Sequence, residues 1–426
     1  MNEYYLKVLK EQVKPATGCT EPVAIALACA KVSSLLSGKI KKMKVTASKG
    51  LYKNASAVGI PGTDQKGIAM AVFLGYCVKR PELGMRILEA ATEEDKQEAL
   101  TLMAEHELEI GYTESDYDVY VDASLETEQG QATAIISGSH DHFSFIEVNG
   151  EVLLDTLGAQ SGESEDSLDG LKETSIEDLV DFSQRVSIDE ISWLEESVEL
   201  NAAISRLGQD EDYGLGIGKG LQRMIDRGVL CNDLLSRIRI WVSAAADARM
   251  GGAKLPVMTS CGSGNQGILI SLPLMLYAKE KDYSAEVLQR ALCLANLVNA
   301  KAKAYLGKLS PLCGCSVSAG LGAAAGLTWM AGGTLPQIEG AIKGMIANLT
   351  GTLCDGAKGT CSLKLETAAV EAYTYAMLSL DDVYLHDTQG IVEISCEASI
   401  ANLEDIGKQG MEQMDQTVLS MLDRRN

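Results

Sequence analysis

From Ile176 almost to the C-terminus the sequence keeps a helical period, interrupted only by short Gly-containing breaks. More than half of this chain therefore has to bury helix against helix. Residues 118–154 follow a different rule. Val119, Val121, Ala123 and Leu125 alternate with Tyr120, Asp122, Ser124 and Glu126, which is the period of a half-buried strand. Turn signals follow at Gln129-Gly130, at Ser137–Asp141 and at Asn149-Gly150. The last lies between two apolar runs and reads as a hairpin. An antiparallel sheet of three or four strands is expected here. Between the two regimes, Ser161–Glu196 holds twelve acidic and two basic residues, and its start, SGESEDSLDG, reads as a linker. The fold class is thus α+β: an N-terminal α+β domain with a small antiparallel sheet, residues 1–165, followed by a larger all-α domain, residues 175–426.

Within the first part, Val23–Leu36 is apolar on nearly every side and reads as a fully buried helix with Pro22 in its first turn. Met43–Pro61 reads as a strand leading to a tight turn at Gly59–Thr63. Asp64–Val78 returns to helical period, and Glu82–His106 reads as a helical pair entered at Pro81 and Thr92. Aromatic residues are only 5% of the chain, whereas glycines number 41, a balance that suits closely packed helices. The net charge of −22 repels phosphate backbones and anionic lipid, so no nucleic-acid partner and no membrane are expected. Ser316–Met330 is too short and too rich in small residues for a transmembrane span and reads as a buried helix. The N-terminus lacks the basic-then-apolar order of a signal peptide, so a cytoplasmic location is expected. In that compartment the eleven cysteines are free thiols or metal ligands.

Three segments could carry chemistry. Cys313-Gly-Cys315 precedes a helix, and Cys354-Asp-Gly-Ala-Lys-Gly-Thr-Cys361 is a Gly-rich turn. Soft thiolates in such settings hold zinc or iron–sulfur clusters, although this spacing is neither that of a ferredoxin nor that of a zinc ribbon. A buried small hydrophobe is the competing reading of each. Cys29, Cys77 and Cys293 lie in apolar helical runs and read as core, and Cys231 and Cys396 as structural. Cys19, in Thr17-Gly-Cys19-Thr20-Glu-Pro22, stands just before a helix N-terminus, where the dipole lowers a thiol pKa; the alternative is that Thr20 caps the helix and Cys19 merely packs. Thr259–Gly267, TSCGSGNQG, opens another helix and could cradle a carboxylate, with Asn265 and Gln266 adding amide contacts. Its GxGxxG match lacks the βαβ surroundings of a dinucleotide site. His140-Asp-His142 falls at a hairpin turn and reads as a solvated loop.

Taken together, TGCTEP, GIPGTDQKG, SCGSGNQGI, LSPLCGCSVSAG and TLCDGAKGTCSLK resemble the motif series of the L-cysteine desulfidase family, related to the iron–sulfur-dependent L-serine dehydratases. The resemblance spans essentially the whole chain. The first part resembles the dehydratase β domain, whose Ser-Ser-Ser-His-Thr motif corresponds to Ala16–Thr20, with Cys19 in the histidine's place. The second resembles the α domain. The resemblance implies a [4Fe-4S] cluster with one open iron, held by Cys313, Cys354 and Cys361. Cys315 competes with Cys313, which is preferred because it stands four residues before Val317, as in the dehydratases. The shorter loop between the last two cysteines departs from the dehydratase pattern.

The implied reaction is β-elimination of L-cysteine to pyruvate, sulfide and ammonia, with Cys19 as a thiolate base of lowered pKa. Asn265 and Gln266 would hold the substrate carboxylate, Thr17 and Thr20 would bind near Cys19, and Asn54 and Lys358, at motif positions, would bind substrate, with a structural role as the competing reading. The partner is a small amino acid, and Gly/Ala-rich helices would suit a homodimer. Residues 16–20 must then meet the 313–361 loops at a domain interface. Three rival readings stand beside this one: an L-serine dehydratase using the same cluster, a non-catalytic protein with a closed zinc site of Cys313, Cys315, Cys354 and Cys361, and a metal-free amino-acid-binding protein.

Overall fold

The computed structural model describes residues 2–158, 168–307 and 309–424. The segment read as a linker lies outside the described residues as far as residue 167. Eight strands occur among the described residues: β1 (Pro15–Thr17), β2 (Ile40–Ser48), β3 (Leu108–Thr113), β4 (Tyr120–Thr127), β5 (Gly130–Ser137), β6 (Phe143–Val148), β7 (Glu151–Asp155) and β8 (Pro256–Met258). The alternating stretch becomes the antiparallel meander β4-β5-β6-β7, as its period requires. The sheet is larger than the meander. β2 joins β4 antiparallel and β3 parallel, giving six strands in the order β3-β2-β4-β5-β6-β7. Val121, Ala123 and Leu125 are buried where the helix Thr20–Leu35 packs on the sheet, which is why the strand alternates.

The helix Thr20–Leu35 is buried at Val23 through Ala30, and the 3-10 turn Pro81–Arg86 and the helix Glu93–Glu105 form the expected pair. Thr92 caps the latter reciprocally with Asp95. One element differs. β2 ends at Ser48, and Lys49–Ala55 is a seven-residue helix rather than extended chain. KGLYKNA contains no β-branched residue to oppose it. This helix sets Lys53 and Asn54.

The second half is helical apart from short β8. Ser318–Met330 is buried at almost every position between neighbouring helices, as its small residues imply. No helix among the described residues is long and apolar enough to cross a membrane.

Two large apolar clusters form among the described residues, one on the sheet and its helices and one in the helical half, with a small third one at Cys19. The chain ends cross between the two large ones. Tyr5, Val8 and Leu9 of the first helix belong to the helical cluster, and Leu419 of the last helix belongs to the sheet cluster. The halves are therefore laced together at both termini.

Candidate active site

Strand β1 is only three residues long, yet it fixes the site. It pairs antiparallel with β8, Ala16 opposite Val257. Thr259 adds two hydrogen bonds to the Lys14 carbonyl, from its amide at 2.9 Å and its hydroxyl at 2.8 Å. The Cys261 amide donates to the Gln12 carbonyl at 2.9 Å. The loop carrying Cys19 is thereby zipped to the Gly-rich loop 260–267. Between β1 and Cys19 the chain turns at Gly18 with φ +71°, a conformation that glycine adopts without strain.

The two cysteine loops are joined in the same way. Leu312 and Leu353 form an isolated antiparallel bridge, the Cys313 amide donates to the Thr352 carbonyl at 2.8 Å, and the Cys354 amide donates to Pro311 at 2.6 Å. Cys361 begins the helix Cys361–Leu380. In between, Lys358 Nζ donates to the Asp355 and Gly356 carbonyls at 3.0 and 3.2 Å and pairs with the Asp355 carboxylate. Burial alone would raise the Asp355 carboxyl, but hydrogen bonds from Lys358 and Lys364 bring it down to about 2.

These loops enclose one cavity of about 440 Å³, at the meeting of the two halves. Cys313, Cys354 and Cys361 line it, with Cys315, and so do Cys19, Thr20, Asn54, Asn265 and Gln266. The expected meeting of the 19 loop with the 313–361 loops is present. Two predicted contacts are not. Thr17 sits in β1 away from the wall, and Lys358 closes its own loop instead of facing the cavity.

All eleven cysteines are free thiols. Cys29, Cys293 and Cys396 are buried; Cys77 is half-buried and Cys231 exposed. Cys313 is held toward the thiolate by its neighbour Cys315, with Ser316 and Lys364 adding to the effect against burial. The same contact drives Cys315 upward. Burial raises Cys354, and it raises Cys361 to about 11.

Cys19 corrects the expectation of a lowered thiol pKa. It is the N-cap of the helix Thr20–Leu35 and makes no side-chain cap bond. It is also 3% exposed, and burial pushes its thiol up to about 12 even though Arg249 lies close enough to lower it. Desolvation outweighs the Arg249 charge here. On its other side Cys19 packs with Val58 and Met250 against Ala357 and Cys361.

A four-iron cluster suits this donor set. Three soft sulfurs reach one cavity from two joined loops, and each would hold a different iron. Gly356, at φ +96°, permits the close approach, since a Cβ there would lie 2.3 Å from the Lys53 carbonyl oxygen. A single ion fits less well. Among the described residues no three Cys, His, Asp or Glu side chains are grouped closely around one point.

Several lining residues were not singled out by motif. Arg249, Lys53 and Lys303 reach the wall, as does Glu21 from within TGCTEP, and His140 lines it from the turn between β5 and β6, which is therefore not simply solvated. A lone arginine ending the apolar run SAAADARM just before Gly251-Gly252 was the one available signal. Cys261, also on the wall, holds a left-handed φ of +48°, a strain of the kind that collects at functional sites.

An α+β half and a helical half thus share one cysteine-lined cavity. The chain belongs to the serine dehydratase alpha chain family, whose profile matches residues 82–420. Its relatives are similar along their full lengths. A UPF0597 protein of Clostridioides difficile is 38% identical over 424 residues, 99% of each chain. One from Bacteroides fragilis is 38% identical over 418 residues, 98% of this chain and 97% of that one. One from Clostridium perfringens is 36% identical over 422 residues, 99% and 98% respectively. Membership of this family supports an amino-acid lyase of the dehydratase type.

Proposed function

We propose that this protein is an iron–sulfur-dependent lyase that eliminates the β-thiol of L-cysteine, giving sulfide, pyruvate and ammonia. The observation that carries the reading is the convergence of Cys313, Cys354 and Cys361 on one cavity with Cys19 on its wall. A [4Fe-4S] cluster held by those three cysteines would act as a Lewis acid toward the leaving group. The chain's residues supply the rest. Cys313 is taken as the ligand in preference to Cys315 because it stands four residues before Val317, as the resemblance to the dehydratases implies. The Gln266 carbonyl accepts from Asn299 at 3.0 Å, which orients the side-chain amide at the wall. Asn54 donates to Glu21 at 2.9 Å and so holds that carboxylate beside Cys19. Cys19 exchanges the proton at the substrate's Cα. The incoming α-ammonium brings a positive charge beside a thiol that burial otherwise keeps protonated, and so favours its ionisation. The α-proton leaves to sulfur, the β-thiol departs as sulfide, and the aminoacrylate product tautomerises and is hydrolysed by water to pyruvate and ammonia.

L-serine, with water as leaving group, is the second reading, and the family match favours it as the competitor. An anaerobic assay of the iron-reconstituted protein with each amino acid decides. Sulfide from L-cysteine, lost in Cys354→Ala, supports the desulfidase. Pyruvate from L-serine alone makes it a dehydratase, and neither product from a protein that takes up no iron refutes both.

A further inference from the structure

Arg249 is 6% exposed and lies at the end of the helix Leu234–Met250, on the cavity wall. Its Nη1 donates to Asn265 Oδ1 at 3.1 Å, and its Nη2 donates to the Gly18 carbonyl at 2.9 Å. Both acceptors are neutral, as is the buried Cys19 thiol that Arg249 also reaches, and Nε has no partner. Two other cavity cations are paired with carboxylates. Lys53 pairs with Asp415 and Lys364 with Asp355, each at 2.5 Å. Among the described residues no carboxylate stands within ion-pair distance of Arg249. Glu21 accepts from Asn54 and Thr20 instead, at 2.9 and 3.3 Å.

A guanidinium withdrawn from water without a counter-charge is costly, and the cost falls when an anion enters. Resting on the lyase reading for the substrate class, we propose that Arg249 binds the α-carboxylate and restricts the site to free amino acids. Asn265 then has a different task from the direct contact expected of it. Its carbonyl holds the guanidinium in plane, and its amide points to Met250 Sδ at 3.6 Å. The fork of Arg249 presents paired donors to a carboxylate, while the adjoining N-terminus of the helix Gly264–Glu280 adds partial positive charge.

The test uses L-alanine, which has no β leaving group and cannot be turned over, and L-alaninamide. Binding of each to the iron-reconstituted protein is measured by calorimetry. The wild type is expected to bind the acid about 100-fold more tightly than the amide, as for a buried charge pair. Arg249→Gln is expected to bring the two within a few-fold while iron content stays unchanged. No acid preference in the wild type, an unaltered preference in Arg249→Gln, or loss of iron in that variant would each overturn the proposal; the last would make Arg249 a counter-charge to the cluster. If Arg249→Gln does not fold, Arg249→Lys decides, because loss of the fork should weaken L-alanine about 10-fold and unchanged affinity refutes the role. If neither L-cysteine nor L-serine is turned over but Arg249-dependent binding persists, the lyase reading fails and this one stands.

Discussion

Lys53 Nζ lies 2.5 Å from Asp415 Oδ1, an ion pair that joins a short helix at the cavity wall to the last helix of the chain. The lysine side chain is 2% exposed and the aspartate 25%. Removing only the carboxylate leaves an ammonium buried without a counter-charge. Asp415→Ala should therefore cost about 2–3 kcal/mol, below the range for a fully buried pair because Asp415 is partly wet. Replacing both residues, as Lys53→Met with Asp415→Leu, should recover most of that loss. Urea unfolding of the three variants checks it, and an Asp415→Ala midpoint equal to wild type would show the pair to be unimportant.

The cysteines should separate into two groups. Cys313→Ser, Cys354→Ser and Cys361→Ser should each lower iron and acid-labile sulfide after anaerobic reconstitution, with activity falling at least about 100-fold, as expected for loss of a metal ligand. Cys315→Ser should retain iron, since that side chain has a neighbour of its own in Ser263 Oγ at 3.8 Å. Loss of iron in Cys315→Ser with retention in Cys313→Ser would reverse the assignment.

Much of this was readable in the sequence, and the failures have physical causes. The alternation at Val119–Leu125 and the capping signal at Thr92 are local, so both were legible before any fold was known. The cysteines could be gathered into one site because their motifs recur in order. The parallel partner of β2 was not legible, since β2–β3 pairing depends on chain that lies far away in sequence. Arg249 and Asp415 have no motif at all. Their importance comes from burial and from which neighbours lack charge, which only the assembled cavity defines. The sequence argument for a reactive Cys19 took account of the helix dipole but had no measure of desolvation.

Buried thiols make the fold sensitive to alkali. Burial pushes Cys293 from its ordinary 9.0 up to about 12, and it raises Cys29 in the same direction. Above pH 9 the unfolded chain releases protons that the folded chain keeps, so stability falls as pH rises. Below pH 9 both states are protonated and these thiols add no slope. Each should cost about 1.4 kcal/mol per pH unit above that point. Cys29→Ala with Cys293→Ala should flatten the fall in stability between about pH 9 and 10 relative to wild type, measured by urea unfolding at both values. Equal slopes would mean that these thiols ionise as freely in the folded protein as in the unfolded chain.

Close helix packing makes Gly75 a stricter position than its helical setting suggests. It lies in the helix Ile68–Val78, and a Cβ there would stand 2.2 Å from the Ala26 carbonyl oxygen and 2.6 Å from Ala26 Cα. Alanine normally stabilises a helix interior by about 1 kcal/mol over glycine. Here the obstruction is backbone, which cannot swing aside, and overpacking of this kind costs about 1–3 kcal/mol or more. Gly75→Ala should thus be destabilising overall. Gly220→Ala is the control, because its Cβ would meet only the Arg223 guanidinium at 3.8 Å, and it should stabilise by up to about 1 kcal/mol. Ala26 lies in the helix that Cys19 caps, so a displaced backbone there would also move Cys19 against Cys361. Gly75→Ala should accordingly lower turnover at temperatures where it is still folded, with iron content unchanged. Stability equal to Gly220→Ala would show that the two helices have room to separate.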